Sequence, residues 1–126
     1  MNKHRQLVDD YLAHASECFR DGDRDRYFAA WEQVYSMVHE QPDEAWTLIL
    51  ELIDRASDEL TLAYIAAGPL EDLINWHGPA SIDRIEARAL ADPKFRRALR
   101  GVWPREGPDN EVVRRVLFLV KDEPPL

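Results

Sequence analysis

The stretch PDEAWTLILELIDRA, residues 42–56, decides the fold. Pro42 presets helical φ at a position where its missing N–H costs nothing, and Asp43 and Glu44 set negative charge beside the free N–H groups of a first turn. Behind them Ala45, Trp46, Leu48, Ile49, Leu52, Ile53 and Ala56 recur at three- and four-residue steps, which gathers them into one dense apolar stripe. The spacing predicts a helix over 43–56. Such a stripe needs a cover, and the sequence on both sides offers one.

Toward the N-terminus, Tyr27, Phe28, Trp31, Val34, Tyr35 and Val38 keep the same period and predict a helix over 24–40, stopped because Pro42 disfavours α geometry at Gln41. Before it, Leu7, Val8, Tyr11, Leu12, Ala15 and Phe19 predict a helix over 3–20 that ends at Asp21-Gly22-Asp23. Toward the C-terminus, Ser57 with Asp58 and Glu59 can cap a fourth helix carrying Leu60, Leu62, Ala63, Ile65 and Ala66, with Gly68 as its stop. Pro69 restarts the chain into a short fifth helix with Leu70, Leu73, Ile74 and Trp76, ended by Gly78-Pro79. A sixth runs from Ser81 to Leu90 with Ile82, Ile85, Ala89 and Leu90 inward, and Asp92-Pro93 opens a seventh with Phe95, Ala98, Leu99, Val102 and Trp103. After the turn from Pro104 to Pro108, Val112, Val113, Val116, Leu117 and Val120 read as a last helix. The run 116–120 is also rich in β-formers, but a strand there has no obvious partner.

Helices joined by short turns pack as antiparallel neighbours. The expected fold is therefore all-α, a single-domain antiparallel bundle of about 7–8 helices, with a short α-solenoid-like stack of helix pairs as the alternative arrangement. One domain spans 1–126: an N-terminal helical pair (1–41), a central part (42–103), and a C-terminal helix and tail (104–126). Its 126 residues, 45% apolar and 32% charged, suffice for one core.

Composition narrows the function. With Cys18 as the only cysteine, no intramolecular disulfide forms, and a reducing compartment fits. The N-terminal segment has no apolar run of the signal-peptide kind and no stretch reaches a membrane span of roughly 18 apolar residues, so a cytoplasmic location without membrane attachment is expected. A net charge of −8 disfavours nucleic acid, whose capture depends on neutralising phosphates. Residues 1–57 carry 6 basic and 12 acidic side chains, a half suited to a basic protein partner.

From Ala45-Trp46 through Leu52-Ile53 and the string Ala66-Ala67-Gly68-Pro69-Leu70-Glu71-Asp72-Leu73 to Ile85-Glu86, Phe95-Arg96 and Gly101-Val102-Trp103, the chain resembles the bacterial domain family of unknown function numbered 6869. That resemblance implies a bacterial, helical protein and brings no catalytic residue with it.

Few side chains form a chemical constellation. Glu71 and Asp72, in the first turn after Gly68-Pro69, suit a helix N-terminus, or else Glu71 anchors a ligand in a cleft beside Trp46, Trp76 and His77. His14 and Cys18 share one helical face but make only two ligands of a zinc site. The remaining histidines are scattered and the five glycines stand singly, which leaves no metal, triad or phosphate-loop signature, and no cofactor is expected. Lys94, Arg96, Arg97, Arg100 and Arg105, near Phe95 and Trp103, form either a basic patch or partners for the acidic third helix. Of the four tryptophans, Trp76 and Trp103 beside Gly/Pro turns are the pair expected to be exposed. The reading leans away from an enzyme, toward a protein-binding module of immunity or regulatory type that presents Asp43, Glu44, Glu51 and Asp54. Its alternative is a small-molecule-binding or hydrolytic domain with a pocket around Glu71, Asp72, Trp76 and His77.

Overall fold

The computed structural model describes residues 4–19, 22–23 and 25–126. Among them the chain forms seven α-helices and one π turn: α1 (Arg5–Phe19), α2 (Phe28–Glu40), α3 (Pro42–Arg55), α4 (Glu59–Ile65), the π turn (Ala66–Leu70), α5 (Glu71–Ala91), α6 (Pro93–Leu99) and α7 (Glu111–Leu119). The fold is all-α, as the apolar periodicity predicts. Lys3 and Arg20 at the ends of the expected first helix, its stop residue Asp21, Arg24 at the start of the expected second and the side chain of Phe19 lie outside the described residues.

Helix α3 is the hub. Its Ala45, Leu48, Ile49, Leu52 and Ile53 are buried, and α1, α2, α4 and α6 all pack against it. Each such aliphatic side chain contributes about 1.5–3 kcal/mol by leaving water. From α6, Phe95 reaches the same core and meets the Trp46 ring edge to face at 5.5 Å. Three side-chain caps fix where helices start: Asp58 accepts from Thr61 N at 2.8 Å, Asp92 from Lys94 N and Phe95 N, and Asn110 from Val113 N at 3.2 Å. Asp58 rather than Ser57 caps α4, because a cap side chain reaches the N–H groups two and three residues ahead and α4 begins at Glu59.

Both glycine stops in the middle of the chain turn out to be bends. At Gly68 (φ −106°, ψ −105°) the chain passes through the π turn and continues directly into α5. The fifth and sixth helices expected around Gly78-Pro79 are one element, α5, bent at His77 (φ −132°, ψ 28°). A proline inside a helix withholds one N–H and crowds the carbonyl four residues back, which kinks the helix; packing on both halves keeps it from ending. Gly78 serves close approach instead of termination, since a Cβ there would lie 3.0 Å from Val112 Cγ1 on α7. This fusion removes the middle pair of the solenoid-like alternative, and both α6 and α7 pack back onto α5.

The last apolar run is helical, with Val112, Val113 and Val116 buried. Leu60, Leu90 and Leu117, assigned inward by periodicity, are exposed, Leu90 at 72%. Leu90 and Leu117 each follow a buried residue, Ala89 and Val116, by one helical position, which turns them about 100° away from it, and Leu60 stands two positions, about 200°, from buried Leu62. No described helix is long and apolar enough to cross a membrane.

Candidate functional site

The bend at Gly68 opens a cleft of about 330 Å³ between α1, α2 and the α4–α5 junction. Tyr11 from α1, Trp31, Val34 and Tyr35 from α2, and Tyr64 from α4 line it, with Ala67, Gly68, Pro69 and Asp72 completing the wall. Gly68 matters through its size, because a Cβ there would sit 2.9 Å from Tyr11 Oη.

Tyr11 is 1% exposed, and burial pushes its hydroxyl well above the ordinary value, with Tyr64, Asp72 and Cys18 adding to the effect. Burial raises Tyr64 as well, helped by Cys18. The Tyr64 hydroxyl lies 2.7 Å from His14 Nδ1, and the His14 ring is 3.9 Å from Cys18 Sγ. The His14–Cys18 pair read from the sequence thus meets in space, with a tyrosine as the third neighbour. No group of three or more metal-ligating side chains occurs among the described residues.

Asp72 is the one carboxylate in the cleft wall. Burial raises its pKa above the ordinary value, while His39 and then Arg105 hold it down. His39 donates from Nδ1 to the Tyr35 carbonyl at 2.7 Å, and its second ring nitrogen is Nε2. That Nε2 is buried and has no hydrogen-bond partner among the described residues.

A ladder of rings runs along α2 into this corner. Phe28 stacks on Trp31 and Trp31 on Tyr35, both at 5.4 Å; Tyr35 meets His39 at 4.2 Å; and His39 meets Trp76 edge to face at 4.5 Å. The Arg105 guanidinium lies 5.3 Å from the Trp76 ring centre. Phe28 and Tyr35, assigned to the core by period alone, are half exposed here.

Of the residues singled out from the sequence around Glu71, only Asp72 reaches the cleft. Glu71 points the other way, and its Oε1 accepts from Trp103 N at 2.8 Å, pinning the loop after α6. Trp76, 52% exposed, caps the outer end of the ladder, and His77 Nε2 donates to the His39 carbonyl at 3.2 Å. Trp46 lies apart, packed on Phe95 under Arg84. Trp103 is 80% exposed, as its place beside a turn suggests.

The acidic residues of α3 are largely engaged within the chain. Asp43 pairs with Arg84 at 3.1 Å and Glu44 lies 4.0 Å from His4, while Glu51 is partly buried and Asp54 exposed. The basic residues near α6 are engaged too. Lys94 Nζ binds the Asp54 and Ala56 carbonyls at 2.8 Å, Arg96 binds Glu123, Arg97 binds Glu59 and the Pro124 and Pro125 carbonyls, and Arg100 binds the Glu123 carbonyl. Arg96 and Arg97 thus pair with Glu123 in the tail and Glu59 on α4 and not with the acidic side chains of the third helix, and Lys94 reaches the end of α3 only through backbone carbonyls.

The profile of a family of unknown function (DUF6869) matches residues 20–123. The chain belongs to that family. Neither a curated protein nor a solved structure matches it. The DUF6869 match reaches well beyond residues 45–103 on both sides and takes in α2. Trp31, Tyr35, His39 and Asp72 thus lie inside the DUF6869 region, and Tyr11 comes from the helix before it.

The sequence reasoning missed Tyr11, Trp31, Tyr35, His39 and Tyr64 as site residues. The signal for three of them was present in α2, where Phe28, Trp31, Tyr35 and His39 form a second stripe, wholly aromatic, beside the aliphatic Val34 and Val38.

Proposed function

We propose that the protein is a non-enzymatic binding module of the bacterial cytosol, and that the aromatic cleft between α1, α2 and the Gly68 bend is its recognition element. The carrying observation is the cleft wall itself: Tyr11, Trp31, Tyr35 and Tyr64 with the single carboxylate of Asp72. Binding sites are typically concave, mostly apolar, and carry a few polar groups that fix orientation. Its volume of about 330 Å³ suits a small molecule or one side chain of a protein partner. An acidic face on α3 has less support as the recognition element, because Asp43 is already ion-paired and Glu44 and Glu51 are partly buried.

A thermal-shift screen against cationic, anionic and neutral metabolites tests this reading. The expected result is a ligand that raises Tm for the wild type and does so much less for Trp31→Ala and Tyr35→Ala. A ligand that stabilises those variants equally would place recognition elsewhere, and a screen without any stabilising compound would count against a small-molecule site. Mass spectrometry of the recovered ligand separates binding from the hydrolytic alternative, since a chemically altered compound would support an enzyme.

A further inference from the structure

Asp72 is the open polar group of the cleft. Its half-buried carboxylate stands in the wall, and among the described residues it accepts no hydrogen bond and forms no direct ion pair. The donors around it are committed elsewhere: His39 Nδ1 to the Tyr35 carbonyl, the Arg105 guanidinium over the Trp76 ring, and the Tyr11 hydroxyl to Tyr64, whose own oxygen lies 2.7 Å from His14 Nδ1. Pro69, also in the wall, has no N–H to give. His39 and Arg105 act on Asp72 through charge alone, and burial outweighs them. A carboxylate so placed has lost part of its hydration without gaining donors in return. A ligand that brings N–H groups supplies what is missing.

Charge decides which donors enter. No residue lining the cleft is basic, and residues 1–57, which supply its α1 and α2 walls, carry 6 basic against 12 acidic side chains. An anion would meet a carboxylate of its own sign, in a chain of net charge −8. A neutral hydroxyl would satisfy the acceptor and leave the charge uncompensated. An ammonium or guanidinium does both, through a charge-assisted hydrogen bond about twice as strong as a neutral one. The rings have a different part. Trp31 is stacked between Phe28 and Tyr35, Tyr35 lies between Trp31 and His39, and Tyr11 is buried, so they supply apolar wall for a short carbon chain and leave the charge to Asp72.

We propose that the cleft is a receptor for a hydrogen-bonding organic cation, an alkylammonium or alkylguanidinium, with Asp72 as its counter-ion. The proposal rests on the reading of this cleft as the recognition element and adds the charge and donor character of what enters it. The cation reaches Asp72 either on a free small molecule or as the end of a lysine or arginine side chain.

NMR titration of the full chain with n-butylamine and N-propylguanidine, each against a neutral counterpart of similar shape, n-butanol and N-propylurea, tests it through the amide shifts of Gly68 and Asp72. Each cation is expected to bind at least about tenfold tighter than its counterpart, and Asp72→Asn to reduce that preference to less than about twofold. The asparagine variant keeps the shape of the side chain and removes a charge that burial penalises, so its fold is retained. Asp43→Asn, on α3 and outside the cleft, removes the same charge from the chain and should leave the preference unchanged. With the preference in place, a capped peptide carrying one lysine or arginine that binds more tightly than the fragments would assign the cation to a protein, and weaker binding to a free molecule. Equal affinity for cation and counterpart, or an equal loss of preference in Asp43→Asn, would overturn the pairing with Asp72 and leave the cleft standing as a binding site. Failure of both cations to bind while the metabolite screen finds an anionic or neutral ligand in the cleft would overturn the cation alone, and failure of both experiments would remove the cleft as well.

Discussion

Replacing Gly68 by alanine tests the packing on which the cleft depends. The new Cβ would stand 2.9 Å from Tyr11 Oη, where ordinary contact begins at 3.4 Å, so one of the two must move by about 0.5 Å. Tyr11 has little room to do so: it is 1% exposed and hydrogen-bonded to Tyr64, which in turn meets His14 at 2.7 Å. Overpacking at a site that cannot relax costs about 1–3 kcal/mol, and the entropy lost by the unfolded chain on gaining a Cβ returns about 0.4–1 kcal/mol. A net loss of about 1–2 kcal/mol should lower Tm by several degrees in a chain of this size. Urea denaturation of Gly68→Ala, Tyr11→Phe and the double variant isolates the contact. Tyr11→Phe removes the atom that is struck, at a cost of about 1 kcal/mol for its lost hydrogen bond. The double variant should then be more stable than the two separate losses imply, by at least about 0.5 kcal/mol. Gly107→Ala, with no atom within 4 Å, serves as the control. Additive losses, or a Gly68→Ala protein as stable as the wild type, would refute the claim that the glycine is there to admit the tyrosine.

Asp72 should weaken the fold at neutral pH. Its folded pKa is raised above the ordinary 3.8, so the penalty on its charged form is fully present above the folded pKa and fades as pH falls toward the unfolded value. Asp72→Asn is thus expected to raise Tm at pH 7 and to lose that advantage in acid, because burial raises the Asp72 pKa more than His39 from α2 and Arg105 from the α6–α7 loop lower it; a Tm difference independent of pH would contradict this. Phe95→Ala empties the contact between α6 and α3 and should cost about 3–5 kcal/mol by chemical denaturation. Asn110→Ala removes the cap of α7, with an expected loss of about 0.5–2 kcal/mol and earlier amide exchange at Val113 than in the wild type.

The all-helical class, the end of α2, the limits of α3 to within a residue and the burial of α3's stripe were determined by the sequence, because apolar periodicity and end signals act within a few residues of one another; the start of α2, expected at residue 24, falls at Phe28. The exposure of Trp76 and Trp103 followed from their turns in the same local way. What became of Gly68 and Gly78-Pro79 did not. A glycine or proline weakens a helix locally, but whether the chain ends or bends there depends on what packs on either side, and that is fixed by Tyr11, 57 residues before Gly68, and by Val112, 34 residues after Gly78. Glu71 and Asp72 show the same division. As neighbours they read alike in sequence, yet successive helical positions point about 100° apart, and the fold turns Glu71 to the Trp103 amide and Asp72 to the cleft. The cleft itself draws on α1, α2, α4 and α5, and no local pattern announces a site whose walls come from four helices. Sequence supplied an aromatic stripe on α2 with no stated purpose; only the tertiary structure decided that it would face a buried tyrosine, a partly buried one and a half-buried carboxylate, because that meeting depends on the bend at Gly68.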